Sequence, residues 1–105
     1  MAQDRSGNFM LPHCERVAKP GPTLPPADQI LWMGICRGTV TTLVEVSRAF
    51  QGSLPICAPQ GSTPTQWEAV VVKYLRDHPE ELHYSFTSSA FAALAKAWPC
   101  DQKGR

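Results

Sequence analysis

Thr63-Pro64-Thr65-Gln66-Trp67-Glu68-Ala69-Val70-Val71-Val72-Lys73-Tyr74-Leu75-Arg76-Asp77-His78-Pro79 is the stretch that decides the fold. It opens with a hydroxyl residue able to accept from the backbone, a proline whose missing N–H costs nothing in the first turn, and a glutamine three residues after the cap. That is a capping box. Trp67, Val70, Val71, Tyr74 and Leu75 then recur at i, i+3, i+4, i+7 and i+8, one apolar stripe of a helix. Asp77-His78-Pro79 ends it, because a residue before proline is driven out of the helical region.

Downstream, a fourth helix is expected to restart near Pro79, with an irregular turn at Leu82-His83-Tyr84. Phe86, Ala90, Phe91, Leu94, Ala97 and Trp98 give it an inner face, and Pro99-Cys100 closes it. Upstream, Gln51–Ser62 is a loop carrying Gly52, Pro55, Pro59 and Gly61. Before it lies a long helix from about Ala27 to Phe50. Ile30, Leu31, Gly34, Ile35, Gly38, Leu43, Val46 and Phe50 stand at mostly helical spacing and are expected to face inward. Gly34 and Gly38 share a face, and their cost in a helix interior is expected to be offset by close approach of a neighbouring helix. Lys19–Pro26 holds four prolines and is an extended connection. A first helix lies between Ser6, its candidate cap, and Ala18. Pro12 must either bend it or begin it. The reading is a single all-α domain over 1–105, a small four- to five-helix bundle, with 1–6 and 101–105 as disordered tails.

Composition agrees with a folded domain. Of 105 residues 43% are hydrophobic and 18% charged, unlike a disordered chain. Ten Lys and Arg balance nine Asp and Glu, without the basic excess of a nucleic-acid groove or an anionic-membrane binder. No apolar run approaches the ~18–20 residues that span a bilayer, so no membrane insertion is expected.

Four cysteines in so small a chain read as two disulfides, because the core alone gives marginal stability. The competing reading is four reduced, buried thiols. No Cys-x-x-Cys occurs, so a structural zinc site lacks its usual clip. An antiparallel hairpin of the third and fourth helices would bring Cys57, before its start, beside Cys100, after its end. Antiparallel packing of the first two helices would bring Cys14 to Cys36. Cys14–Cys36 with Cys57–Cys100 is therefore preferred, and Cys36–Cys57 with Cys14–Cys100 stands second. Disulfides require an oxidising compartment, and so a signal peptide removed ahead of the sequence as given.

No catalytic constellation is present. Disulfide bonding silences every thiol that His13, His78 or His83 could activate. His78-Pro79-Glu80-Glu81-Leu82-His83 lacks the His-Glu-x-x-His pattern and reads as a helix stop followed by carboxylates near a helix start. Neither enzyme activity, nor a cofactor, nor a metal is expected. Trp67 and Trp98 sit on apolar stripes. Trp32, beside Gly34 and Gly38, is the better interface candidate.

Ser6-Gly7-Asn8, Cys14, Cys36-Arg37-Gly38, Cys57-Ala58-Pro59-Gln60-Gly61, Gln66, Lys73-Tyr74-Leu75-Arg76-Asp77-His78-Pro79-Glu80 and Trp98-Pro99-Cys100 together resemble the Rap/Tai family of immunity proteins. The likeness runs in order over about residues 6–100. Where the family often has Tyr and Gly after its second cysteine, this chain has Thr39 and Thr42, and Glu45 stands near the family's acidic position. The resemblance implies a small helical, exported protein that forms homodimers in the bacterial periplasm, with Trp32, Gly34 and Gly38 as the expected dimer face. It also implies a partner, a peptidoglycan amidase effector of a type VI secretion system, whose active-site groove the protein blocks. The alternative is a periplasmic acid-stress chaperone or another small helical binding module. Occlusion needs a stiff edge with little ordering cost on binding. Thr23–Pro26, Ser53–Ser62 and Asp77–His83 could supply one. The last is preferred, because Asp77, His78, Glu80 and His83 stand there beside Tyr84.

Overall fold

The computed structural model describes residues 5–50 and 53–100; of the tails expected at residues 1–6 and 101–105, residues 1–4 and 101–105 lie outside the described residues. Four helices follow in order: α1 Gly7–Ala18, α2 Ala27–Ala49, α3 Pro64–Asp77 and α4 Phe86–Ala97, with a 3-10 turn at Pro79–Glu81. No strand occurs among the described residues; one isolated bridge joins Ser6 to Ser85. Both preferred disulfides are present, with Cα–Cα separations of 5.6 Å for Cys14–Cys36 and 5.1 Å for Cys57–Cys100.

Local chemistry explains each helix start. Thr63 Oγ1 accepts from Gln66 N–H at 3.2 Å while Gln66 Oε1 accepts from Thr63 N–H at 2.9 Å, completing the capping box. Ser6 Oγ accepts from Phe9 N–H, and Ser85 Oγ from Ser88 N–H, each at 3.2 Å. The fourth helix thus begins at Phe86, behind its Ser85 cap, seven residues later than the expected restart at Pro79, where only the 3-10 turn forms. Pro12 lies inside α1 and does not begin it. It is exposed, so the carbonyl it leaves without an N–H partner can turn to water.

The core is one cluster contributed by all four helices, with Met10, Val40, Val71, Leu75 and Leu94 fully or almost fully enclosed. α1 packs chiefly on α2 and α3, and α4 on α3. The face expected for α2 is corrected in part. Cys36, Val40, Val44 and Ser47 are buried and Ile35 and Leu43 pack against the core, while Ile30, Leu31, Gly34, Gly38, Val46 and Phe50 are exposed. Cys36 must face Cys14, and Val40, Val44 and Ser47 follow it at helical spacing. Among the described residues no neighbouring helix approaches Gly34 or Gly38 either: a Cβ built on each meets nothing within 4 Å. On α4, Ala97 is exposed rather than inward.

Arg48 and Trp67 shape the loop between α2 and α3. The Arg48 guanidinium donates to the carbonyl of Pro59 at 3.0 Å and lies 5.4 Å above the Trp67 ring. Trp67 Nε1 donates to Ser62 Oγ at 2.8 Å. Gly61 has φ +93, a conformation that favours glycine. Cys57 N–H donates to the Trp98 carbonyl at 2.8 Å beside the second disulfide, so the loop is tied to the end of α4.

One buried charge interrupts the core. Glu68 on α3 is fully enclosed, and its carboxylate meets Arg37 of α2, with Nη2–Oε1 at 3.0 Å and Nε–Oε2 at 2.8 Å. Burial pushes the Glu68 carboxyl above its ordinary value, opposed by the attraction of Arg37.

Candidate functional site

The segment from Asp77 to Tyr84 joins α3 to α4 as a chain of tight turns. His78 N–H donates to the Leu75 carbonyl, Glu81 N–H to His78, Leu82 N–H to Pro79 and Tyr84 N–H to Glu81. Its outline is set by the other end of the molecule. Gly7 N–H donates to the Tyr84 carbonyl at 3.1 Å and Asn8 N–H to the Leu82 carbonyl at 2.9 Å, while Phe86 N–H donates to the Arg5 carbonyl at 2.7 Å. The first amides of α1, which no helix can satisfy internally, are thus satisfied by this turn. Gly7 is needed for the approach. A Cβ there would lie 3.1 Å from Leu75 Cδ2 and 3.2 Å from both Leu82 Cδ2 and the Leu82 carbonyl oxygen.

The structure places all five residues expected at the partner-binding edge on this one turn. Tyr84 is half exposed, with its ring 4.6 Å from that of His83. The His78 ring packs on Tyr74 at 4.2 Å, and its Nδ1 lies 3.3 Å from the Glu80 carboxylate. Asp77 pairs with Lys73 one turn earlier at 2.6 Å. That hydrogen bond from Lys73 holds the Asp77 carboxyl below its ordinary value. The Glu80 carboxyl is also lowered, first by its own backbone N–H and then by His78. Both are therefore ionised at neutral pH.

Sequence reasoning missed two members of the set, Tyr74 and Glu81. The Tyr74 hydroxyl donates to Glu81 Oε1 at 2.7 Å, and this pushes the phenol up to about 12. The i, i+4 pairs Lys73/Asp77 and Tyr74/His78 were visible signals that this end of α3 carries organised side chains. A shallow groove of about 250 Å³ runs alongside, lined by Val70, Lys73, Tyr74, His78 and Lys96 among others. His78, Glu80 and Glu81 each bring a potential ligand atom within 4.8 Å of the others. Tyr74 holds Glu81 and Glu80 bonds to His78, so the group is accounted for as a hydrogen-bonded turn.

The expected dimer-face residues are not brought together. Trp32 faces α1, edge-on to Phe9 at 4.9 Å, with Arg5 over its ring at 5.0 Å. Gly34 and Gly38 lie on the outward side of α2.

Residues 6–100 match the family model of Rap1a immunity proteins. The chain belongs to that family. Neither the curated proteins nor the solved structures compared with it gave a match. The features just described account for the stretches that carry the likeness. The Cys57-Ala58-Pro59-Gln60-Gly61 loop is built on the Arg48–Pro59 contact and the left-handed Gly61. Trp98-Pro99-Cys100 supplies the carbonyl and sulfur that tie that loop down. Tyr74 to Glu80 forms the near side of the α3–α4 turn. Membership in an immunity family implies a protein that binds an effector. Two disulfides are consistent with an oxidising compartment, and no helix among the described residues is long and apolar enough to cross a membrane.

Proposed function

We propose that this immunity protein acts in the periplasm by binding a peptidoglycan amidase effector of a type VI secretion system and occluding its active-site groove, and that it does so as a homodimer. The inserted edge is the α3–α4 turn, with Asp77, His78, Glu80, His83 and Tyr84 as its contact residues. The observation that carries this reading is the turn itself. It is exposed along its outer edge yet braced from behind by backbone hydrogen bonds to the start of α1, so little entropy is left to lose on docking. Ionised Asp77 and Glu80 beside an exposed phenol suit a cleft lined with donors.

The test is inhibition of an amidase encoded beside the gene, using purified protein and peptidoglycan fragments. The expected result is stoichiometric inhibition, weakened at least about tenfold by Tyr84→Ala, the size expected of a contact residue near an interface centre. Failure to bind or inhibit any neighbouring amidase overturns the reading. The acid-chaperone alternative gains no support from the core. Glu68 is held toward protonation, so acid relieves the buried charge rather than creating one.

A further inference from the structure

The outward face of α2 is built unlike a solvated helix surface. Leu31, Gly34, Gly38, Thr42, Glu45 and Ala49 follow one another at spacings of three and four, and all are exposed. One ionisable group, Glu45, occurs in that stripe, whereas a solvated face is usually charged. Leu31 and Phe50, at 57% and 62% exposure, stand at its two ends. Glycine is a poor helix former, and among the described residues nothing lies within 4 Å of where a Cβ would stand at Gly34 or Gly38.

We propose that this face is where a second copy of the chain docks, the two α2 helices packing antiparallel about a point midway between Gly38 and Thr42. The proposal rests on the homodimer in the reading above and adds its face. Self-complementarity carries it. An antiparallel arrangement places Leu31 against Ala49 and Phe50 of the second copy, Ile35 against its Val46, and Gly38 against its Thr42. All these pairs lie within about one residue, or ~1.5 Å, of a single register. The same register sets Arg37 beside Glu45 of the second copy, twice by symmetry. A two-fold axis across the pair keeps these two positions on one flank of the helices. Arg37 has capacity for this: its side chain is 47% exposed while it holds Glu68, and guanidinium carries five donors. Glu45, the lone charge of the stripe, thereby gains an opposite charge. The absent side chains at Gly34 and Gly38 let the backbones approach. A stripe about 10 Å wide along a helix about 34 Å long offers about 340 Å² per copy, below the ~800 Å² per partner of a standard interface, so the dimer is expected to be weak and transient, micromolar at best.

Sedimentation velocity of the full chain over a concentration series tests this. Gly38→Arg and Glu45→Arg are the variants, and Thr87→Arg on exposed α4 is the control; circular dichroism confirms that each folds. The expected result is a dimer whose Kd rises at least about tenfold in both α2 variants and stays unchanged in the control. A dimer indifferent to both variants overturns the face and leaves the homodimer standing. A wild-type monomer at about 100 µM overturns both. A monomer whose Gly38→Arg variant loses effector binding gives the face to the effector and also overturns the proposal. Amidase inhibition by the same variants reports on the occluding turn separately.

Discussion

Replacing Arg37 with alanine strips the counter-charge from the one carboxylate in the core, Glu68, whose side chain is fully enclosed. Removing one partner of a fully buried ion pair costs about 3–5 kcal/mol. Arg37 is itself half exposed, so truncation opens a route for water to Glu68, and the expected loss falls to about 2 kcal/mol at pH 7. For a domain of this size that is a fall in Tm of roughly 8–16 °C. The pH dependence follows from the direction of the shift. A carboxyl whose pKa is higher in the fold than in the unfolded chain binds its proton more tightly when folded. Its stabilising contribution is complete at low pH and is lost as pH rises through the folded value. Arg37 is what restrains that rise, so in Arg37→Ala the folded pKa climbs further. The deficit of the variant is therefore largest at neutral pH and shrinks on acidification, as the neutral carboxyl no longer needs a cation. Urea unfolding followed by circular dichroism at pH 7 and pH 4 measures both. Replacing both partners together, as Arg37→Met with Glu68→Leu, is expected to lie within about 1 kcal/mol of the starting protein. A loss under about 0.5 kcal/mol at pH 7, or an equal loss at both pH values, refutes the account of Glu68 as a desolvated charge dependent on Arg37.

The disulfides close segments of 22 and 43 residues, so chain entropy predicts losses of about 3 and about 4 kcal/mol for the Cys14→Ser/Cys36→Ser and Cys57→Ser/Cys100→Ser pairs; denaturant unfolding without reductant checks the order. Tyr74, pushed up to about 12 by Glu81, is expected to titrate late in ultraviolet absorbance. Its hydrogen bond then contributes stability that is lost between about pH 10 and 12, and Glu81→Gln should bring the titration down toward 10. Gly7→Ala forces a methyl against Leu75 and Leu82 and should cost about 1–3 kcal/mol in thermal unfolding, whereas the same change at Gly34 meets nothing and should leave the isolated subunit as stable or more so.

How much of this was legible depended on whether the deciding information was local. The start of α3 was readable because Thr63, Pro64 and Gln66 act on the three residues beside them. The disulfides were readable because an antiparallel hairpin constrains where its two ends fall. α2 was misread because apolar residues occur on both of its sides, so periodicity fits two faces. The tie that decides between them, Cys36 to Cys14, was already in hand and was not used to orient the helix. Extending it by four and eight residues selects Val40 and Val44, which are the buried ones. Glu68 could not be found this way. Its partner lies 31 residues away, and nothing local marks a glutamate that faces inward. Ser85 was a missed cap with a clear signal, a serine three residues before Ser88 at the start of an apolar run.

The position of the candidate edge was readable, but its stiffness was not, and stiffness is what occlusion requires. Proline and histidine near residue 79 announce a break in the helix. They do not show that the carbonyls of Leu82 and Tyr84 are taken by the first amides of α1. Those bonds link positions about seventy-five residues apart, and they answer two needs at once. A helix start must find acceptors for its free N–H groups, and a turn meant to enter a cleft must not rearrange on the way in. Acceptor side chains could have met the first need alone, and Ser6 does so for Phe9. Using the turn's own backbone for the rest joins the N-terminal helix to the edge proposed to meet the partner. A change at Gly7, hidden from any effector, should therefore weaken inhibition as well as stability, and a change confined to the exposed ring of Tyr84 should weaken inhibition alone.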